Sequence, residues 1–270
     1  MFSICMVLYG DYPQLAQRLL DSLKLRAFVQ DFRIGLNQVS AATRKLVHRW
    51  AQSQRAEPVY IYEAKDFANL GKYPLMRAMF QDRTLASRVM WFDDDSFLDR
   101  TVGVPWWDTT LVASLTATQL GAVHYMRQQQ QQHAVICQQP WYTGKPVHDH
   151  HLFKFVTGGW WVADSAFLLQ WDYPFPALYH NGGDSILGEL IRQQSGTLVH
   201  FTPHIQCHCE SCVAKGGILE DFPVVHINVG GRKGRRGIGV HREHYIWADG
   251  QANPPLTHQD FDLEIIRHAV

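Results

Sequence analysis

The sequence lacks the long apolar runs that mark a membrane protein. No stretch of 18 apolar residues occurs among its 270 residues, so no transmembrane helix is predicted. The apolar start of the chain is interrupted at Asp11 and Pro13, too early for the hydrophobic region of a secretory signal peptide. Together these observations favour a soluble, cytoplasmic protein.

The sequence also lacks a disulfide framework and an excess of charge of one sign. Cysteine occurs five times, an odd number, and three of these residues lie between Cys207 and Cys212. That pattern excludes a secreted disulfide scaffold and favours a reducing compartment. Basic and acidic residues number 25 each, so no global field attracts the chain to nucleic acid or to an anionic membrane. Any such preference must come from a local patch.

What the sequence does contain is an alternation of apolar and amphipathic stretches over its first hundred residues. Runs rich in strand-forming residues predict strands at 2–9, 32–36, 59–63 and 89–92. Helical spacing predicts helices at 15–25, 43–54 and 73–85. This order predicts βαβ units, an α/β fold with a mainly parallel sheet, and ligand binding beyond the carboxyl ends of the strands. Four polar residues should share that rim: Asp11, Asn37, Glu63 and Asp93.

The second half of the chain is less regular. Helices are predicted at 109–120, 165–170 and 184–194. Strands are predicted at 121–125, 153–162, 197–201 and 224–228, the second of them broken at Gly158 and Gly159. A glutamine run at 128–132 is typical of a solvated loop or helix surface.

Three consecutive carboxylates, Asp93, Asp94 and Asp95, follow the fourth predicted strand. Residues two apart on an extended chain point the same way, so Asp93 and Asp95 can converge on one hard cation. Mg²⁺ or Mn²⁺ prefers such oxygen ligands and commonly keeps substrate phosphates in its shell. The alternative is a helix start with first-turn acids.

Several segments, in this order, resemble motifs of one enzyme family. They are the first strand and helix, Asn37 after the second strand, the Asn-x-Gly-Lys stretch at 69–77 that ends in Arg77, Phe92-Asp93-Asp94-Asp95, the glycine-rich strand at 157–161 and Gly182-Gly183-Asp184. Over residues 2–200 the chain thereby resembles the GT-A glycosyltransferases, especially the family-2-type enzymes. The resemblance implies a Rossmann-like three-layer sandwich in a single domain, 1–270. Residues 1–100 would form the nucleotide-sugar half, 101–228 the acceptor half, and 229–270 a basic loop and tail.

The resemblance also implies roles for individual residues. The donor would be bound by Leu8, Tyr9, Gly10, Asn37, Gly71, Lys72, Arg77, Asp93 and Asp94. The acceptor would lie against Gly158, Gly159, Trp160 and Trp161, although core packing of these tryptophans is an equal alternative. The metal ligands would be Asp93, Asp95 and His226. Imidazole suits Mn²⁺ better than Mg²⁺, and a hydrogen-bonded core histidine is the alternative for His226.

Asp184 is the candidate catalytic base. It lies at the start of a predicted helix, after the flexible pair Gly182 and Gly183. A carboxylate there can take the proton of an acceptor hydroxyl, and the resemblance implies inversion of configuration. An ordinary helix-capping aspartate is the alternative. Many relatives carry two adjacent acids here, whereas this chain has Gly183 and Asp184.

Two further segments invite functional interpretations. Residues 230–237 intersperse four basic residues with four glycines, and Arg232, Lys233 and Arg235 are candidates for gripping the donor diphosphate. Contact with a nucleic-acid backbone and a solvated loop are the alternatives. Cys207, Cys209 and Cys212 could hold a structural Zn²⁺, because thiolates favour that ion. The alternative is that these thiols bind no ligand.

The sequence therefore predicts a metal-dependent glycosyltransferase that uses a nucleoside diphosphate sugar, UDP-linked by the frequency of such donors in the family. The acceptor would be a glycan, a small molecule or modified DNA. A phage-like enzyme that glycosylates a hydroxymethylated base is one alternative. A metal-dependent nucleotidyltransferase and a nucleic-acid-binding module are the others.

Overall fold

The computed structural model describes residues 1–23, 29–67, 70–94, 96–98, 115–128, 136–137, 139–145, 152–175, 178, 183–200, 205–207, 224–226 and 262–268. Its helices are α1 (Pro13–Ser22), α2 (Ala41–Ser53), α3 (Lys72–Gln81), α4 (Ser165–Gln170) and α5 (Gly183–Gln193). Its strands are β1 (Phe2–Tyr9), β2 (Val29–Asn37), β3 (Val59–Ala64), β4 (Arg88–Asp93), β5 (Ser96–Leu98), β6 (Gln119–Gln128), β7 (Leu152–Asp164), β8 (Thr197–His200), β9 (Ile205–Cys207), β10 (Val224–His226) and β11 (Leu263–His268).

A mixed eight-stranded sheet forms the centre of the fold. Its strand order is β11-β3-β2-β1-β4-β7-β6-β8. The four strands β3, β2, β1 and β4 run parallel, whereas β7 and β11 are antiparallel to their neighbours. A second sheet of three short strands has the order β5-β10-β9. The predicted α/β class with a mainly parallel sheet is confirmed.

Helices cover both faces of the central sheet. Successive strand residues point to opposite faces, and Trp91 and Phe92 accordingly belong to two different core clusters. Residues of α3, α4 and α5 pack in the cluster of Trp91, and residues of α1 and α2 in the cluster of Phe92. All eight residues of β1 are buried, as a strand covered on both faces requires. The predicted three-layer sandwich is therefore confirmed.

Local capping signals explain where several helices begin. Pro13 opens α1, where its missing N–H costs no helical hydrogen bond. Ser40 precedes α2, and its Oγ accepts a hydrogen bond from the Thr43 N–H at 3.2 Å. Asp164 precedes α4 and accepts one from the Phe167 N–H at 3.0 Å. Every helix in the described ranges is too short or too polar to span a bilayer.

Two expectations for the second half are corrected. The helix predicted at 109–120 does not extend over 115–120, where a turn leads into β6 at Gln119, because pairing with β7 and β8 outweighs local propensity. The strand predicted to break at Gly158 and Gly159 is continuous. Its pairing with β6 shifts there, from Ala122 opposite Trp161 to His124 opposite Val156. The glycines therefore mark a bulge and not a break.

The structure adds an edge strand that the sequence analysis did not predict. Residues Leu263–His268, assigned above to the tail, form β11 and pair antiparallel with β3. The Lys65 N–H donates to the Asp262 carbonyl at 2.9 Å just before the strand. The C-terminal segment thus contributes to the sheet.

A histidine pair joins this edge strand to α2. Nδ1 of His48 lies 3.2 Å from Nε2 of His268, and the ring centroids are 5.4 Å apart. Burial lowers the pKa of His48, and His268 and Arg44 lower it further, whereas Glu63 and Glu264 act in the opposite direction. The folded chain therefore favours a neutral His48.

This lowered pKa predicts a loss of stability in mild acid. The unfolded chain binds the His48 proton near pH about 6.5, so the stabilisation is complete above that pH and is lost as the pH falls towards the folded-state pKa. We expect the thermal midpoint to fall between pH of about 7.5 and about 5.5, and to fall less in His48→Gln. Arg49→Gln, an exposed change on the same helix, is the control and should keep the wild-type slope. Equal slopes in the wild type and His48→Gln would refute this role.

Candidate functional site

The carboxyl ends of four parallel strands meet at one rim of the central sheet. Tyr9 pairs with Asn37, Leu36 with Glu63, and Val7 with Asp93. The expectation that Asn37, Glu63 and Asp93 share this rim is therefore confirmed. In parallel sheets this edge is the usual place for a ligand.

Asp93, the last residue of β4, is a partly exposed carboxylate at the rim that pairs with a lysine. Its Oδ1 accepts a hydrogen bond from Trp91 Nε1 at 2.8 Å and lies 2.8 Å from Lys72 Nζ. Lys72 Nζ also donates to its Oδ2 at 3.1 Å. The Asp93 side chain is still 27% exposed, so a ligand can reach it. The arrangement holds a carboxylate and an ammonium group together at the rim of the sheet.

The neighbours of Asp93 differ in what the structure shows of them. Asp94 is buried, with 5% of its surface exposed. Asp95 lies outside the described residues. Immediately beyond it, β5 begins at Ser96, and Ser96 is the register partner of His226 on β10. Strand pairing thus brings the backbone of His226 to the segment that follows the acidic cluster, although the two are far apart in sequence.

The predicted metal sites stay predictions. Within the described ranges, no three His, Cys, Asp or Glu side chains are grouped closely enough to hold an ion. For His226 and Cys207 only the backbone is described, and Asp95, Cys209 and Cys212 lie outside the described residues. The exposed carboxylate of Asp93 has the oxygen-ligand chemistry that Mn²⁺ or Mg²⁺ prefers. This one ligand therefore fits the predicted ion.

The predicted donor residues at the strand ends offer mainly backbone to the rim. The side chains of Leu8 and Tyr9 are buried, and Gly10 turns the chain with a φ of 71°. Asn37 is 1% exposed, and its Oδ1 accepts a hydrogen bond from the Leu70 N–H at 2.8 Å. Asn37 therefore anchors the turn before α3 in this structure and does not face an open pocket.

Gly71 and Lys72 form the start of α3. Gly71 has a φ of 82°, a conformation that side chains rarely adopt, and it precedes the first helical residue, Lys72. Arg77 on the same helix is buried, and its Nη1 donates to the Pro174 carbonyl at 2.8 Å and pairs with Asp172 Oδ1 at 2.8 Å. Arg77, predicted as a donor ligand, thus ties α3 to the turn after α4.

An arginine–phenylalanine pair at the rim has no signal in the sequence. Arg44 forms a forked ion pair with Glu63, at 2.6 Å from Nη2 to Oε1 and 2.9 Å from Nε to Oε2. Its guanidinium carbon lies 3.9 Å from the centre of the Phe67 ring. Phe67 is 49% exposed and has a φ of 59°, which is unusual for a residue other than glycine. Only the fold shows that these residues lie together.

The predicted acceptor side is more buried than the sequence suggested. Trp160 and Trp161 are each 2% exposed and pack in opposite cores, so the structure favours the core-packing alternative for both. Trp161 stacks on Trp91, with ring centroids 6.0 Å apart. Gly158 and Gly159 lie at the bulge of β7.

Asp184 is the second residue of α5, close to the helix start that the sequence predicts. The helix N-terminus favours a carboxylate electrostatically. For Asp184 only the backbone is described, and the preceding residues 179–182 lie outside the described part of the chain, as does the basic segment with Arg232, Lys233 and Arg235. Their predicted roles are therefore untested.

Comparisons with known proteins identify the fold. No protein-family model and no curated protein matches the sequence. The solved structure of GalNAc-T7 with UDP, GalNAc and Mn²⁺ matches with a TM-score of 0.56 and 12% identity, over 94% of this chain and 45% of that one. The mannosyltransferase PcManGT from Pyrobaculum calidifontis, with GDP-Man and Mn²⁺, matches with a TM-score of 0.49 and 14% identity, over 74% of this chain and 54% of that one. Mouse xyloside xylosyltransferase 1 matches with a TM-score of 0.46 and 11% identity, over 84% of this chain and 98% of that one.

The chain has the GT-A fold of glycosyltransferases. The match to GalNAc-T7 covers nearly the whole chain and confirms the fold that the motifs predict. This chain spans about half the length of GalNAc-T7 and of PcManGT. At such low identity the likeness defines the fold alone.

Proposed function

We propose that this protein transfers a sugar from a nucleoside diphosphate sugar to an acceptor hydroxyl. The observation that carries the proposal is Asp93, an accessible carboxylate at the end of β4, paired with Lys72 at the ligand-binding rim of a GT-A fold. GalNAc-T7, which has this fold, was solved with a nucleotide, a sugar and Mn²⁺. The Asp93 carboxylate can bind a cation, and the adjacent Lys72 ammonium group can bind a phosphate. Together these two groups suit a diphosphate leaving group.

The donor would lie along the rim from Phe67 to Asp93. The backbone turns at Gly10 and Gly71 lack side chains, which permits close approach of a ligand. The exposed Phe67 ring, with Arg44 packed on it, is a flat surface for the nucleobase. Lys72 would bind the diphosphate, and Arg232, Lys233 and Arg235 are candidates to close over it.

The metal would be held by Asp93, with Asp95 and His226 as the other protein ligands. A divalent ion bound there neutralises the charge that develops on the departing diphosphate. The register of Ser96 with His226 supports this set, because it brings the β10 backbone to the chain segment after Asp95. Mn²⁺ is favoured if the imidazole is a ligand.

Asp184 is the proposed base. As the acceptor oxygen attacks the anomeric carbon, the hydroxyl proton passes to the carboxylate. A new glycosidic bond forms, the bond from the anomeric carbon to the diphosphate oxygen breaks, and the nucleoside diphosphate leaves. Attack from the opposite side inverts the configuration. UDP is the proposed nucleotide. The alternative acceptor is hydroxymethylated DNA. The basic segment 230–237, which suggests this acceptor, lies outside the described residues.

Calorimetric titration with a panel of nucleoside diphosphates tests this function. We expect one diphosphate to bind in the presence of Mn²⁺ and to bind at least about ten-fold more weakly in EDTA, since the ion bridges the carboxylate and the phosphates. Phe67→Ala should weaken binding by about ten-fold, because base stacking on an aromatic ring contributes about 1–3 kcal/mol.

The control for Phe67→Ala is Leu169→Ala, which removes an exposed apolar side chain on α4. Leu169→Ala should bind the diphosphate as tightly as the wild type does. A folded wild-type protein that binds no member of the panel would refute the proposed function.

A further inference from the structure

The first residue of α5 lies against the aromatic ring of Tyr73. A Cβ atom added at Gly183 would lie 2.2 Å from Cζ, 2.3 Å from Oη and 2.5 Å from Cε1 of Tyr73. Real Cβ atoms do not approach other atoms so closely. Because Tyr73 is 2% exposed, its ring is enclosed and has little freedom to move aside. The helix start can therefore occupy this place only with glycine at position 183.

A second tyrosine contacts the same residue. The Oη of Tyr173 lies 3.5 Å from the Gly183 carbonyl oxygen and donates a long hydrogen bond to it. Tyr173 is 3% exposed, and its ring meets the edges of Trp161 and Phe175 at centroid distances of 6.4 and 5.8 Å. The start of α5 is thus contacted by two enclosed rings, from α3 and from the turn after α4.

Both contacts lead back to Asp93. On one side, Tyr73 directly follows Lys72, which pairs with Asp93. On the other, Tyr173 packs on Trp161, Trp161 stacks on Trp91 with an interplanar angle of 11°, and Trp91 Nε1 donates to Asp93. We call Trp91, Trp161 and Tyr173 the aromatic bridge. Arg77 holds the turn that carries Tyr173 through Asp172 and Pro174.

We propose that Tyr73 and Tyr173 are positioning residues that set the start of α5, and with it Asp184, at a fixed distance from Asp93. The inference rests on the proposed function and goes beyond it, because it gives a role to two buried residues outside the proposed donor, metal and base residues. Asp93, the carboxylate of the proposed donor site, lies on β4, and Asp184, the candidate base, lies on α5. The aromatic bridge, with its stacked and edge-on rings, connects these two elements rigidly. A connection through loops would leave the distance between Asp93 and Asp184 variable.

The expected effect of disturbing this connection is on turnover and not on donor affinity. A misplacement of about 1 Å at a reacting group costs about 100-fold in rate. The proposed nucleotide site consists of the rim of β1 to β4 and the Lys72 ammonium group, whereas the atoms that approach Gly183 are Cζ, Oη and Cε1 of the buried Tyr73 ring. A loss of kcat with an unchanged KM is therefore the signature of positioning.

The test compares Gly183→Ala, Tyr73→Leu and the double variant. The probes are UDP-N-acetylgalactosamine and GDP-mannose, with Mn²⁺ and with water as the acceptor of the sugar, and the readouts are diphosphate release and calorimetric binding of UDP or GDP. We expect Gly183→Ala to lower kcat by at least about ten-fold, with KM and diphosphate affinity within about two-fold. Leucine lacks the three tyrosine atoms nearest the added Cβ, so the double variant should recover part of kcat.

Two further variants keep the test independent of folding defects. Tyr173→Phe preserves the ring packing and removes only the hydroxyl, and we expect kcat to fall by about three-fold at normal KM. Gly196→Ala crowds the opposite end of the helix, where an added Cβ would lie 2.6 Å from the Thr118 carbonyl oxygen. It should lower the thermal midpoint and leave kcat within about two-fold of wild type.

Three results would overturn the inference. A Gly183→Ala variant with wild-type kcat would show that the contact does not position a reacting group. A joint loss of diphosphate binding and turnover would assign the contact to general folding. A double variant no better than Gly183→Ala would exclude the Tyr73 contact as the cause. Failure of the folded wild type to bind any nucleoside diphosphate of the panel would instead refute the proposed function itself, and with it this inference.

Discussion

In Asp184→Asn, kcat for sugar transfer should fall by roughly 10²–10⁴-fold, the contribution that a positioned general base typically makes. The amide keeps the size of the carboxylate, but it cannot accept the hydroxyl proton. Donor binding should stay within about two-fold of wild type, because binding precedes the proton transfer. Diphosphate release in steady state and calorimetric binding of UDP or GDP measure the two effects separately.

The control for Asp184 addresses its alternative role as a helix cap. Asp164 caps α4 through the Phe167 N–H, and asparagine is an equally good cap. Asp164→Asn should therefore leave both kcat and diphosphate binding unchanged. Normal transfer in Asp184→Asn would show that the base is another group and that Asp184 only begins the helix.

A loss of Mn²⁺-dependent diphosphate binding is the expected result for Asp93→Asn. The amide oxygen can still accept the Trp91 Nε1 hydrogen bond, so the packing around the residue should persist. The negative charge that would bind the ion, and that pairs with Lys72, is removed. Loss of a group in the outer shell of a metal site typically costs 10–100-fold in affinity, and loss of a ligand should cost about 100-fold or more. Calorimetry with Mn²⁺ and with EDTA measures the change.

Asp262→Asn is the charge-matched control for Asp93. Its carboxylate is 76% exposed and pairs with Lys65 at the surface. Removing this charge should leave diphosphate binding unaffected, with or without Mn²⁺. If Asp93→Asn bound the diphosphate as tightly as the wild type in Mn²⁺, the proposed role of Asp93 in metal binding would be wrong.

The first half of the fold was predictable because its signals are local. Strands β1, β3 and β4 are mainly apolar runs of mostly buried residues, and α1 and α2 each have a buried stripe at helical spacing. Helices α1 to α3 lie within a few residues of their predicted ranges. The rim positions of Asn37, Glu63 and Asp93 follow from the parallel order of the strands.

Two differences between the predicted and the observed secondary structure show where local sequence signals are insufficient. Leu263–His268 is short and partly exposed, and it becomes a strand only because the edge of β3 is open to pairing with it. Residues 115–120 have an apolar pattern compatible with a helix, yet β6 begins there because β7 and β8 supply pairing partners on both sides.

The candidate site divides in the same way. Asp93, Lys72 and Asp184 could be proposed from residue type and from their place after a strand or at the start of a helix. The burial of Asn37, the packing of Arg44 on Phe67, and the partners of Arg77 could not, because each depends on a residue distant in sequence. Trp160 and Trp161 show the same limit, since the choice between an acceptor surface and the core depends on what covers them.

By itself, the sequence determined the α/β class, the rim and the carboxylates that end there, since hydrophobic period and turn chemistry act between near neighbours. Only the tertiary structure decided that Lys72 compensates Asp93, that His226 pairs with Ser96, and that Gly183 lies against Tyr73. These contacts join segments that meet only when the sheet and its two helical layers pack, and close packing then permits a single arrangement of their side chains.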